Sequence, residues 1–333
     1  MGSLLAACGG SNASGGQSSD PWPKHPHYRF ALINHVTTNS FFVPCRYGAQ
    51  DACNLLGCSY TWTGSDSNIV SQMIQAMNSA IDSKVNGIGV PLVDPTAFNS
   101  TIDKALGMGI PTVAYNTNAP GNNVQAYIGQ DLTLAGQEAG RRILQYVKKG
   151  DLVAGMIGVP GSLDEQPRIT GAKTVLEAAG VDFVEVGIGA TQGPEITAVN
   201  SWYLGHRDVK FMYASGSSEG IAVATTISKL DLAAKGVGGS AFDVGIPVLQ
   251  QVQAGHLAFS IDQQSYLQGF YTILQLFLYN ITGGLLNPVD TNTGLLFVTK
   301  ENVGPYLADQ NRWEGSSTNA AVRTPPSKVK VQA

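Results

Sequence analysis

From residue 28 onward, short apolar runs alternate with longer segments whose apolar positions recur every three or four residues. "RFALIN" precedes a helical stretch carrying "YGAQDACNLLG", and "SYTWTG" precedes "SNIVSQMIQAMNSAIDSK", where Ile69, Met73, Met77 and Ile81 share one helical face. "NGIGVP" leads to "PTAFNSTIDKALGMG", closed by a glycine, and "IPTVAYNT" and "AYIGQD" follow. The alternation then restarts with the helix "LAGQEAGRRILQYVKKG" and the strands "LVAGMIGV", "FVEVGIG", "VKFMYAS" and "GVGGSAF", each followed by a helix, and it ends at "LAFSID". Strands alternating with helices across short glycine turns predict parallel sheets covered on both faces. Two successive sets predict an α/β chain of two Rossmann-like lobes. A single eight-stranded barrel is the competing architecture, and about ten strands are too many for it.

Length and charge narrow the function. The 333 residues allow one large domain or two of ordinary size, and 39 glycines with only 13% charged residues suit a turn-rich α/β chain rather than a coiled coil. The net charge is −4 and basic residues form no long run, which argues against nucleic acid as a partner. The most apolar stretch, "YLQGFYTILQLFLYNITGG", is interrupted by Gln268 and Gln275 and reads as a buried amphipathic helix, not a membrane span. A His-Glu-x-x-His zinc site and a Walker loop are both missing from the sequence. "GIGATQG" lacks the dinucleotide-binding spacing, and the five histidines form no catalytic set. The reading is therefore a non-enzyme that needs no cofactor and no metal.

In open parallel sheets, ligands bind beyond the carboxyl ends of the strands. Those ends carry residues 35–42, 116–118, 130–131, 161–168, 215–218, 242–243 and 262–264. Amides, hydroxyls and a few balanced charges predominate there, with aromatic rings at Phe41, Phe42 and Phe242. Such a set suits a neutral, hydroxyl-rich ligand, whose hydroxyls pair with amides and carboxylates while flat rings cover its apolar face. The adjacent Phe41 and Phe42 follow a polar run at a strand-to-helix turn, so one ring is expected in the core and the other in the cleft. His35 reads as structural or peripheral, and Asp131 as a cap or hinge residue.

The first residues, "LLAACGGSNASGGQSSD", place Leu5-Ala6-Ala7-Cys8 ahead of a Gly/Ser/Asn run. This resembles a bacterial lipobox, in which Cys8 carries lipid and the following residues form a tether, although the charged and long apolar regions that accompany the motif are missing and the start reads as truncated. It implies export and attachment to the outer face of a membrane. Cys45 and Cys53 lie eight residues apart on one helix, about 12 Å of rise and too far to bridge. Cys53 and Cys58 straddle a helix-ending turn, where a short disulfide is expected, the alternative being three separate buried thiols.

Several stretches, taken in order from Tyr28 to Trp313, resemble the ribose/galactose class of periplasmic sugar-binding proteins, the solute receptors of ATP-driven importers. "TTNSFF" is similar to that family's Asn-Asn-Pro-Phe-Phe turn, "YIGQDLTLAGQEAGR" to its first crossover, "RITGAKTVL" to its Arg-x-x-Gly-Phe helix start, "AFDVG" to Gly-Phe-Asp, and "LAFSIDQQSYLQG" to its return strand. The resemblance implies the type I periplasmic binding protein fold, with two lobes joined by three crossovers near residues 130, 263 and 293. It places a tether at 1–27, one lobe at 28–130 plus 264–293, the other at 131–263 plus 294–315, and a tail at 316–333. By position it implies a ligand set of Asn39, Phe41, Phe42, Asn116, Arg168, Ser217, Asp243 and Gln263, with Arg168 and Asp243 a charged pair from the second lobe. Tyr115, Trp62 and Gln192 are further cleft candidates. Asn116-Thr117 stands where ribose binders have Asp-Arg, and Ser40 stands where they have proline, which points away from ribose itself.

The implied function is a monomeric, extracytoplasmic, lipid-tethered receptor that passes a monosaccharide or sugar alcohol to the permease subunits of an ABC importer. A sensory receptor for a sugar or an autoinducer-2-like signal is the alternative. A repressor-type effector domain shares the fold, but the N-terminus, "CGGSNASGGQSSDPWP", is not a basic helix-turn-helix.

Overall fold

The computed structural model describes residues 24–308 apart from 40, 190, 287 and 288; Cys8, the 1–23 stretch and the 309–333 tail lie outside the described residues. Two sheets organise the rest. The first is built from β1 (Arg29–Asn34), β2 (Ser59–Gly64), β3 (Gly87–Val90), β4 (Thr112–Tyr115), β5 (Tyr127–Gly129) and β11 (Asp290–Asn292), in the order β11-β5-β4-β3-β1-β2 and parallel throughout. The second contains β6 (Leu152–Ile157), β7 (Asp182–Gly187), β8 (Val209–Ala214), β9 (Gly238–Phe242), β10 (Phe259–Asp262) and β12 (Leu296–Val298), in the order β12-β10-β9-β8-β6-β7. Only the β10–β12 pairing in it is antiparallel, so the sheets are mostly, not wholly, parallel as the alternation predicts.

Strand alternation feeds a core on each face of each sheet. Along β1, Phe30 and Leu32 enter one apolar cluster while Ala31 and Ile33 enter another on the opposite face. Along β6, Val153 and Ile157 face one cluster, and Ala154 and Met156 face the other. Burial on both faces is why these strands read as continuous apolar runs.

The covering helices follow the sequence periodicity. Helix α2 (Val70–Asp82) buries Met73, Met77 and Ile81. Ile69 departs from the predicted face: it stands as the N-cap in extended conformation and is 43% exposed. Helix α9 (Ser265–Thr282) is the most apolar stretch, and its Gln268 and Gln275 are buried on the protein side with hydrogen-bond partners. No helix among the described residues is long and apolar enough to cross a membrane.

Two helix pairs are held unusually close by glycines. Helix α1 (Phe42–Leu56) packs on α9, where a Cβ at Gly48 would collide with the Tyr266 carbonyl and one at Gly269 with the Cys45 carbonyl. In the second lobe, α4 (Leu132–Ile143) packs on α5 (Gln166–Ala178); a Cβ at Gly136 would strike the Arg168 carbonyl and one at Gly171 the Thr133 carbonyl. In each pair one helix, α9 or α4, has just crossed from the other sheet.

The chain passes between sheets after β5, after β10 and between β11 and β12. These passages are tied to one another. Gln130 Nε2 donates to the Gly294 carbonyl (3.0 Å), Thr293 Oγ1 to the Gln263 carbonyl (2.8 Å), and Gln264 Nε2 to the Thr293 carbonyl. Asp131 caps α4 by accepting from Leu134 N at 2.9 Å.

Helix α1 ends on Gly57 in the left-handed conformation, and Cys58 N then donates to the Cys53 carbonyl at 3.1 Å. Cys53 and Cys58 are therefore neighbours, but the disulfide expected between them is not formed. Cys45, Cys53 and Cys58 stand as buried thiols, and those of Cys53 and Cys58 hydrogen-bond to each other.

Candidate functional site

A cavity of about 730 Å³ lies between the two sheets, at the carboxyl ends of their strands. From the first lobe it receives His35, Val36, Thr38, Asn39, Phe41 and Phe42 after β1, residues 66–68 after β2, and Asn116 after β4. From the second lobe it receives the loop after β6 running into α5, Thr191 and Gln192 after β7, residues 216–219 after β8, Asp243 after β9 and Gln263 after β10. All eight residues of the expected ligand set line it. The volume is within the range of small-molecule sites.

The backbone makes this convergence possible by turning sharply where strands end. Asn68, Asn116 and Asp243 have positive φ, of 58°, 64° and 72°. Asn and Asp tolerate that region better than other non-glycine residues because their short polar side chains bond locally. Each turn directs a polar side chain toward the space rather than along the sheet.

On the first lobe, Asn39 Oδ1 accepts from Phe41 N (2.9 Å), which fixes the turn ahead of α1. The two rings behave differently from expectation: Phe41 is 6% exposed and Phe42 1%, both pack in the same core cluster, and both still border the cavity. They meet edge-on at 4.7 Å, and Phe42 also meets His35 edge-on at 5.3 Å. No division into one core ring and one cleft ring occurs, because α1 begins at Phe42 and the turn holds Phe41 against it. Asn116 Nδ2 donates to Gln268 Oε1 (3.2 Å), so α9 orients it.

On the second lobe, the Arg168 guanidinium lies over the Phe242 ring at 4.3 Å, and Nη1 donates to the Ser215 carbonyl at 2.8 Å. Its Nε is buried without a partner. Arg168 and Asp243 form no direct ion pair among the described residues; Asp243 instead accepts from Gln263 Nε2 at 2.5 Å and from the Ser217 hydroxyl. Burial pushes the Asp243 carboxyl up to about 6 despite the nearby guanidinium. Asp243 does not cap the following helix, α8 (Ile246–Ala254), whose N-cap is Gly245.

Several lining residues lay outside the ligand set that the sequence implied. His35 borders the cavity, is 7% exposed, and has Nδ1 unpartnered; burial lowers its pKa while Asp164 across the cavity works in the opposite direction. Its position directly after β1 was the available signal. Asp66, Asn68, Glu165 and Glu219 also line the space. Trp62 and Tyr115 do not: Tyr115 is fully buried, donating to the Ile33 carbonyl (2.8 Å), and Trp62 packs between it and Phe42. Gln192 does line the cavity.

Comparison with known proteins gives a consistent picture. The profile described as "Periplasmic binding protein domain" matches residues 30–281. The chain is 40% identical over 310 residues to the xylose/arabinose-binding protein XylF of Sulfolobus acidocaldarius, covering 89% of this chain and 77% of that protein. Among solved structures, a solute-binding protein of an ABC transporter from Burkholderia graminis in complex with D-arabinose superposes with a TM-score of 0.79 at 24% identity, covering 85% of this chain and 99% of that one. A carbohydrate transporter protein from Acidothermus cellulolyticus in complex with myo-inositol superposes with a TM-score of 0.76 at 25% identity, covering 87% and 100%.

Proposed function

The chain belongs to the periplasmic binding protein family, and from that premise we propose that it takes up one monosaccharide or sugar alcohol in the cavity between its lobes and presents it to the permease of an ABC importer. It is an extracytoplasmic sugar-binding protein with the two-lobed type I fold. Its family is one of solute-binding proteins, and the ligand is held and released unaltered. The observation that carries the reading is the meeting, in one cavity, of amide, hydroxyl and charged side chains from both sheets with the edges of Phe41 and Phe42. A pentose is the favoured class, because the relative at 40% identity is named for xylose and arabinose.

In this reading, Asn39, Asn116 and Gln263 bond ligand hydroxyls, Arg168 donates from its unpartnered Nε, and Asp243 and Ser217 accept and donate from the opposite wall. Ligand contacts on both lobes favour the closed arrangement, and the crossings near 130, 263 and 293 act as the hinge. The lobes then divide at those crossings: 28–130 plus 264–293, and 131–263 plus 294–315. A wrong epimer leaves a buried polar group unpaired, at about 1–3 kcal/mol each. Cys8, in its Leu-Ala-Ala-Cys setting, is the lipid anchor that keeps a monomeric receptor at the membrane.

A thermal-shift screen against pentoses, hexoses, deoxysugars and polyols tests this. One neutral sugar at saturation raises the unfolding free energy by a few kcal/mol. No shift with any of them would refute the proposed function.

A further inference from the structure

The cavity is acidic in a way that carbohydrate binding alone does not require. Asp66, Asp164, Glu165, Glu219 and Asp243 line it, and the only Lys or Arg side chain among its lining residues is Arg168. Glu165 and Glu219 converge. A Cβ placed on Gly158 would lie 2.6 Å from Glu219 Oε1 and 3.2 Å from Glu165 Oε1, so both carboxyls occupy the space that the missing side chain leaves. Gly216 makes the same allowance on the other side, where a Cβ would lie 2.5 Å from Glu219 Oε2. Glu219 is 4% exposed and sits in the first turn of α7 (Ser217–Lys229). Glu165 Oε2 already accepts from Gly158 N (2.8 Å) and Ser215 Oγ (3.1 Å).

The donor supply explains what such a pair is for. Gln263 Nε2 is committed to Asp243, Asn116 Nδ2 to Gln268, and Arg168 Nη1 to Ser215. Each of these groups already spends a donor within the protein, whereas a sugar's ring and hydroxyl oxygens need donors.

We propose that Glu165 and Glu219 are specificity-determining residues of the cavity: at least one of them stays protonated, offers its O–H to an oxygen of a neutral ligand, and together they bar anionic sugars such as uronates and sugar phosphates. Two carboxylates this close in a buried site do not both ionise. Burial, helped by the charge of Asp164, pushes Glu165 up to about 7, and burial, helped by the charge of Glu165, pushes Glu219 well above the usual carboxylate range. The charged and titratable groups around them are Asp164 in the loop before α5, Arg168 on α5, Glu195 on α6 (Gln192–Gly205), Asp243 after β9, and His35 across the cavity. Glu195 accepts from Ser218 Oγ (3.0 Å), and its charge adds to the repulsion on Glu219.

The proposal rests on the sugar-binding reading, and its test separates the two. Titration calorimetry measures the Kd of D-xylose, L-arabinose, D-ribose, D-galactose and myo-inositol between about pH 6 and pH 9, for the wild type, Glu165→Gln, Glu219→Gln and the double variant. Gln keeps the shape and an N–H donor but cannot ionise. The wild type loses affinity for its neutral ligand by up to about 10-fold per pH unit once the pair ionises, whereas the double variant changes little over the same range. D-Galacturonate and D-glucuronate bind the wild type at least about 10-fold more weakly than the neutral ligand, and the gap narrows in the double variant. A flat wild-type profile overturns the proposal without needing any variant. A decline kept unchanged by the double variant assigns it to Asp243 or His35 and overturns it too. Binding of none of the five compounds at any pH overturns both the proposal and the reading beneath it.

Discussion

Replacing Arg168 with alanine separates the binding role of the second lobe from its folding role. The side chain is 5% exposed, donates to the Ser215 carbonyl at 2.8 Å and covers the Phe242 ring at 4.3 Å. Loss of a charged hydrogen bond costs about 1.5–3 kcal/mol. Loss of a desolvated cation–ring contact costs about 2 kcal/mol. The total stays below the 5–15 kcal/mol that holds a typical domain. The carboxyls left behind do not multiply the loss, because Asp243, already near 6, takes up a proton instead of remaining an uncompensated charge. The variant therefore folds. Its ligand response does not survive as well: a lost charge-assisted bond of about 1.5–3 kcal/mol weakens a sugar roughly 10- to 150-fold. At a sugar concentration of about 1,000 times the wild-type Kd, the wild type gains about 4 kcal/mol, and a variant weakened about 100-fold gains about 1.4 kcal/mol. Urea unfolding followed by circular dichroism, with and without sugar, reads both quantities. A variant that unfolds with wild-type ligand stabilisation would show that Arg168 does not face the ligand.

Three further outcomes follow from the packing and the buried acids. Gly136→Ala forces apart α4 and α5 at the Arg168 carbonyl, and Gly269→Ala forces apart α1 and α9 at the Cys45 carbonyl; each loses about 1–3 kcal/mol in urea unfolding, and each also weakens sugar binding, the former because α5 carries Arg168 and the latter because Gln268 of α9 orients Asn116. Asp243 and Glu165 hold their protons in the fold up to about pH 6 and pH 7, against 3.8 and 4.5 ordinarily, so the folded chain binds more protons than the unfolded one between those limits. Unfolding free energy then falls as pH rises from about 4 to about 7, by about 3 kcal/mol for each group, and rises in the reverse direction; a stability flat across that window would contradict the burial of both carboxyls. Mild oxidation joins Cys53 to Cys58 and spares Cys45, as peptide mapping reads, and adds about 2 kcal/mol of stability for so short a loop.

The fold was legible because its signals are local and repeated. Short apolar runs give β1, β3, β4 and β6 directly, and the interruption by Gln268 and Gln275 distinguishes α9 from a membrane span. The antiparallel β12 was not legible. Its three residues are too few to show a period, and its direction is set by the last crossing between sheets, not by its own side chains. Ile69 was misassigned for a related reason: helical spacing includes it, but the extended backbone at the N-cap takes it off the buried face.

The site was legible only where a residue leaves a strand's carboxyl end. Asn116, Asp243 and Gln263 sit one residue beyond β4, β9 and β10, and strand prediction alone brings them together. Glu219 sits one turn inside α7, where an acidic residue reads as a stabilising charge at a helix N-terminus. What turns it toward the cavity is the absence of side chains at Gly158 and Gly216, one after β6 and the other after β8. Those two strands are adjacent in space and about fifty residues apart in the chain, so no spacing rule connects them. The same holds for the two rings of the opening turn: Phe41 and Phe42 join a core cluster with Ile273, Leu276 and Phe277 of α9, more than two hundred residues away in sequence. A site assembled at strand ends can be read from periodicity, whereas one admitted by glycines on neighbouring strands requires knowing which strands are neighbours.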